Sequence, residues 1–75
     1  MSSERERQTT RMFQVQRDDG SRYVGIEVTT FSIVGGIRRA TQIEWFLGGK
    51  SLIRDQSHHD TFRDALTGEI FRRVR

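Results

Sequence analysis

The chain has no cysteine and no proline, and only one lysine, one tryptophan and one tyrosine in 75 residues. Without cysteine there is neither a disulfide framework nor a thiolate metal site. Apolar residues are scarce, at 33% against 31% charged, below the usual apolar share of a globular domain. No apolar run approaches the ~20 residues that cross a bilayer. The first ten residues are polar and charged, unlike a secretory leader. These absences lead us to expect a cytoplasmic protein with no membrane partner. There is no low-complexity tract, internal repeat or linker, so one small domain with one modest core is expected. A fold so small and polar is marginal alone, and self-association would stabilise it.

What is present is strand-like. Tyr23 to Leu47 reads as two long runs around Gly35-Gly36, a strong two-residue hairpin signal because both central residues must reach positive φ. Mirroring across that turn sets Val34 against Ile37, Val28 against Ile43, Ile26 against Trp45 and Val24 against Leu47. Every apolar residue on that face then meets another, which supports the register. Asp19-Gly20 reads as a second two-residue turn. It pairs Val15 with Val24 and Phe13 with Ile26, so both turns bury the same side of the middle strand. Gly48-Gly49 is a third turn, setting Trp45 against Leu52 and Ile43 against Arg54.

The last segment allows two readings. Asp60 could cap a short helix with Phe62, Ala65 and Leu66 inward, ended by Gly68. Alternatively, Thr67 to Glu69 is a loop pairing Leu66 with Ile70, Asp64 with Arg72 and Phe62 with Val74. The hairpin is favoured slightly. The expected fold is therefore all-β, or mostly β with one short helix. It is a small antiparallel meander rolled into a barrel or half-barrel of SH3-like size. Strands are expected near 11–17, 22–34, 37–47, 50–54 and 69–74, with 61–66 strand or helix. Residues 1–10 are read as a disordered tail, and 11–75 as the domain.

On this reading the inner face carries Phe13, Val15, Val24, Ile26, Val28, Ile43, Trp45, Leu47 and Leu52. Phe62, Leu66, Ile70 and Val74 are the candidates to cover it. Gly25 and Thr29-Thr30 are the expected bend points. The outer face keeps Met12, Tyr23, Phe31, Ile33, Ala40, Phe46 and Ile53 among Glu27, Gln42 and Glu44, less polar than a solvated sheet face should be. Phe31, Ile33, Phe46 and Tyr23 are accordingly the candidate protein interface.

Few residues suggest chemistry. His58-His59-Asp60 has metal-ligand residue types, but adjacent histidines in an extended segment point apart and nothing completes a site. Glu27 and Glu44, opposite each other in the expected register, could share a proton. A solvent-exposed pair relieved by an arginine such as Arg11 is the favoured reading. No hydroxyl or thiol nucleophile with a histidine base can be assembled, and no glycine motif matches a phosphate loop. We therefore expect no enzyme, no cofactor and no metal.

Net charge is +3, and twelve arginines stand against Lys50 alone. Arginine suits bidentate contact with phosphate, although genome composition produces the same excess. Arg17, Arg22, Arg38, Arg39, Lys50, Arg72 and Arg73 are the candidate nucleic-acid contacts, interleaved with Tyr23, Phe46 and Phe71 as small barrels do it. The sequence thus supports a non-catalytic binding module. A protein-interaction or assembly role, including a homodimer, comes first, and a nucleic-acid-binding barrel is the alternative.

Overall fold

The computed structural model describes residues 5–74, with backbone only at Arg5. Six strands follow in order: β1 (Arg5–Gln16), β2 (Arg22–Val34), β3 (Ile37–Leu47), β4 (Lys50–Arg54), β5 (Thr61–Asp64) and β6 (Ile70–Arg73). All neighbours are antiparallel, and β6 returns to β1 to close a barrel. No helix is present among the described residues. The segment at 61–66 is therefore strand over Thr61–Asp64. Residues 1–4 of the expected tail lie outside the described residues. Arg5 to Thr10, expected in that tail, instead continue β1 and pair with β2 from Ile33 to Val28.

The turns explain the topology. Gly35 and Gly36 have φ of 59° and 79°, as a type I′ corner requires. Val34 faces Ile37 and Trp45 faces Leu52, both as mirroring predicts. The first turn differs. The Arg17 N–H donates to the Ser21 carbonyl, and the Gly20 N–H donates to the Arg17 carbonyl. Gly20 has φ 88°. This is a three-residue loop ending in a left-handed residue, one residue longer than Asp19-Gly20 alone. Every partner on β1 moves by one: Phe13 faces Gly25 and Val15 faces Tyr23.

A second one-residue shift lies in β3. Phe31 faces Ala40 but Thr30 faces Gln42, so Thr41 is bulged out. Beyond it, Glu27 faces Trp45 and Ile26 faces Phe46. Ile26 and Trp45 therefore lie on opposite sides of the ribbon, contrary to the expected face. Val24, Ile26 and Val28 point outward. The inward row of β2 is Tyr23, Gly25, Glu27, Thr29, Phe31 and Ile33. Gly25 is suited to its place, because a Cβ there would lie 2.8 Å from the Phe13 ring.

The core is small: Phe13, Val15, Leu47, Leu52, Phe62 and Phe71, with Trp45 against it. Phe62 is central, its ring centroid 5.1 Å from that of Phe13 and 5.6 Å from that of Trp45. Phe62 faces Phe71, not Val74. Leu66, expected to cover the core, is 93% exposed, and Ile70 is also exposed. The reason is again loop length. Asp64 N–H donates to the Glu69 carbonyl and Gly68 N–H to the Asp64 carbonyl, enclosing residues 65–68. The buried Asp64 carboxylate holds that loop, its Oδ1 accepting N–H bonds from Leu66 (2.8 Å) and Thr67 (3.2 Å).

Closure uses little of the long strands. β6 reaches only Val15 and Gln16 in the β1 ladder, and β4 reaches only Trp45 to Leu47 in β3. The rest of β1, β2 and β3 leaves the barrel as a three-stranded arm, residues 5–12, 26–34 and 37–44, rooted on Trp45 and Phe46. The molecule is accordingly 54 Å long and 22 by 18 Å across. Its radius of gyration is 14.9 Å, against about 11 Å for a compact domain of this length.

Candidate functional site

Residues directly opposite in an antiparallel ladder share a face, so the arm has two definable faces. From root to tip, the outer face shows the rows Met12–Ile26–Phe46, Thr10–Val28–Glu44, Gln8–Thr30–Gln42 and Glu6–Ser32–Arg39, then Val34–Ile37. Its ends are apolar and open: Met12 is 74% exposed and Ile37 63%. Val24, just below the root, is 55% exposed. Its centre is polar and tied together. Gln8 Nε2 donates to Thr30 Oγ1 at 3.4 Å, and Thr41 Oγ1 donates to the Thr30 carbonyl at 3.3 Å.

The inner face shows Arg11–Glu27–Trp45, Thr9–Thr29–Ile43, Arg7–Phe31–Ala40 and Ile33–Arg38. It runs down into the barrel mouth, framed by the 55–60 loop and the end of β6. Each of three arginines there lies over a ring. Arg38 is 4.4 Å from the Phe31 centroid, Arg73 is 4.9 Å from that of Phe13, and Arg54 is 5.2 Å from that of Trp45. The Trp45 indole N–H donates to Glu27 Oε2 at 3.0 Å, which holds the one carboxylate of this face among the described residues of the arm.

The expected site residues scatter. Arg17, Arg22 and Lys50 do gather at the barrel floor, away from the arm. Arg17 is paired there with Glu69, and the hydrogen bond it donates to the Tyr23 oxygen, followed by the Glu69 charge, raises its pKa. Lys50 Nζ is 3.8 Å from Asp64 Oδ2. The two N–H bonds to Asp64, the Leu66 one first, lower its pKa, and Lys50 adds to this. Arg72 lies on the outer barrel wall opposite Thr61. Arg38 and Arg39 project to opposite faces of the arm tip. Of the seven expected basic contacts, only Arg38 and Arg73 share the inner face.

The four expected interface residues also divide. Phe31 and Ile33 are on the inner face, Phe46 is on the outer face, and Tyr23 lies edge-on to Phe71 in the barrel. Glu27 and Glu44 are on opposite faces and form no pair. In the 55–60 loop, Asp55 Oδ1 accepts the N–H groups of Ser57 and His58, which lower the Asp55 pKa. Among the described residues no cluster of three His, Cys, Asp or Glu could hold a metal ion, and no helix is long and apolar enough to cross a membrane.

The sequence reading weighed Arg7 as a phosphate anchor but left it in a disordered tail, did not single out Arg54, and gave Arg11 only a relieving role. A signal for β1 existed. Arg7 and Arg11 are in phase with the core residues Phe13 and Val15, so a strand extended backward would have placed them on the inner side. No protein-family model matches this chain, and no curated protein or solved structure shows significant similarity to it.

Proposed function

We propose that this chain is a non-catalytic assembly module whose arm pairs, outer face to outer face, with a second copy. The observation that carries the reading is the symmetry of that face about Thr30. The apolar root row, Met12–Ile26–Phe46, lies four β2 positions to one side, and the apolar tip pair, Val34–Ile37, lies four to the other. A two-fold axis across the strands at Thr30 sets each root row on the partner's tip. The same operation brings Arg39, in the row at Ser32, over Glu44, in the row at Val28, twice per dimer. A surface that meets its own complement under a two-fold is what a C2 interface requires.

Surface area agrees. The accessible surface is 5,898 Å², about 1,100 Å² more than a compact monomer of this mass shows. A specific interface takes about 600–800 Å² from each partner. A three-stranded sheet also needs one covered apolar face for independent stability, and the arm has none in the isolated chain.

Sedimentation equilibrium from about 1 to about 100 µM tests the proposal. The expected result is a concentration-dependent dimer. Arg39→Glu and Glu44→Arg should each shift it to monomer, and the double charge swap should restore it. A chain that is monomeric throughout, or a swap that restores nothing, overturns the reading.

A further inference from the structure

We infer that the inner face of the arm, with the barrel mouth, binds a single-stranded nucleic acid. The inference does not depend on the dimer, which uses the opposite face and leaves this one open.

Charge comes first. Arg7, Arg11 and Arg38 on the arm and Arg54 and Arg73 at the mouth all belong to this side. Among the described residues Glu27 alone opposes them on the arm, and its carboxylate already accepts the Trp45 indole N–H. At the rim, Asp55 has Oδ1 committed to its own loop. The outer face of the arm carries Arg39 against Glu6 and Glu44, so the excess of guanidinium belongs to one side of one sheet. Arg7 and Arg11 sit four residues apart on β1, about 13 Å. The row from Arg38, opposite Ile33, to Arg73, over Phe13 opposite Gly25, extends roughly 26 Å. That is a linear cationic track, the shape of an extended phosphodiester strand and not of a small anion.

The chemistry of the track points to unpaired bases. Its cations are all arginine, and three of them lie on aromatic rings. Arginines set over rings 4.4 to 5.2 Å away put cation and aromatic surface side by side, and arginine planes and aromatic rings are the platforms on which unstacked bases are read. A duplex hides its base faces and could use only the charge. An acidic peptide likewise has no use for the aromatic surface.

The test is fluorescence anisotropy of the full chain with labelled twelve-residue oligothymidine and oligouridine, from about 50 to about 200 mM salt. A twelve-pair duplex and an oligoglutamate are the competitors. Binding of either single strand, with a negative log–log salt slope of about 0.7 per contact, is expected. The triple variant Arg7→Gln/Arg11→Gln/Arg38→Gln should weaken binding at least tenfold and flatten the slope by about 2. Arg22→Gln/Arg72→Gln on the barrel wall should leave both unchanged. Phe31→Ala should weaken binding about fivefold or more with no change in slope. All three arm arginines are exposed, and circular dichroism of each variant confirms folding. The inference is overturned by no binding at about 50 mM salt or by equal losses from the wall variant. It is also overturned by an unaffected Phe31→Ala protein, or by duplex or oligoglutamate competing as well as the single strand.

Discussion

Phe62 and Ile37 mark the extremes of one continuous sheet. Phe62 is fully buried among Phe13, Trp45 and Phe71, whereas Ile37 is open to solvent at the arm tip. Every buried hydrophobic residue belongs to the barrel. Among the described residues the arm buries only Thr30, through its neighbours on the same face. The barrel is therefore held by apolar burial, and the arm by its ladders with a few side-chain contacts such as Gln8–Thr30 and Arg38–Phe31. In the free chain the difference is one of stability. Arm amides are expected to open locally while barrel amides open only with global unfolding. Native-state hydrogen exchange would show this as two protection classes dividing near Phe13, Gly25 and Trp45.

Substitutions can sharpen that division. Phe62→Ala removes the ring at the barrel centre and should cost about 3–5 kcal/mol, enough to unfold a domain this small. Loss of the cooperative urea transition would record it. Gly25→Ala presses a methyl against Phe13 and the Phe46 carbonyl, 3.2 Å away, and should cost about 1–3 kcal/mol. Gly36→Ala meets no atom but needs a left-handed backbone, a strain of about 1–2 kcal/mol. That loss should appear as faster exchange at the arm tip with little change in the barrel transition.

Acid sharpens the division from the barrel side. The folded Asp64 pKa is lowered by the Leu66 N–H bond first, with Thr67 and Lys50 adding. A lowered carboxylate contributes stability fully above its unfolded value and loses it as pH falls through the folded one. The urea midpoint of the wild type should therefore drop across that acidic window, and the drop should shrink in Asp64→Asn. The smallest effect belongs to Ile37→Glu, which should change the unfolding free energy of the monomer by no more than about 0.5 kcal/mol while abolishing the dimer in sedimentation. If instead it destabilised the barrel, the separation of the two regions would be wrong.

Much of the meander was legible from residues alone, because glycine corners state their own geometry. Gly35-Gly36 and Gly48-Gly49 placed their flanking pairs as observed. What misled was the agreement between two registers, one hiding an extra residue in its turn and the other a bulge within its strand. Asp18 joins Asp19-Gly20 in the first loop, and Thr41 leaves the ladder in β3. With those residues counted as regular strand, Val24, Ile26 and Val28 read as core. Glu27 read as surface, and Gly25 and Thr29 read as bend points. Loop hydrogen bonding fixed the register against the apolar pattern, so the row that looks most like core lies outside. The scattered arginines follow from the same slip, since face assignment in a strand inverts with a single residue. The strand at 5–10 was missed because its apolar content is nil. It is held by the β2 ladder and the Gln8–Thr30 side-chain bond.

Thr41 also confers a tolerance on the arm. Its extra residue absorbs the mismatch between the count from the Gly35-Gly36 corner and the count from Gly48-Gly49. Deleting Thr41 alone would let Ala40 and Gln42 stand consecutively against Phe31 and Thr30, with tip and root both keeping their sides. Removing Ala40 or Gln42 instead would let Thr41 take the empty ladder position with the same result, whereas a deletion elsewhere in β3 would move residues to the other face. The strand can therefore be shortened at residues 40–42 without rewriting either surface.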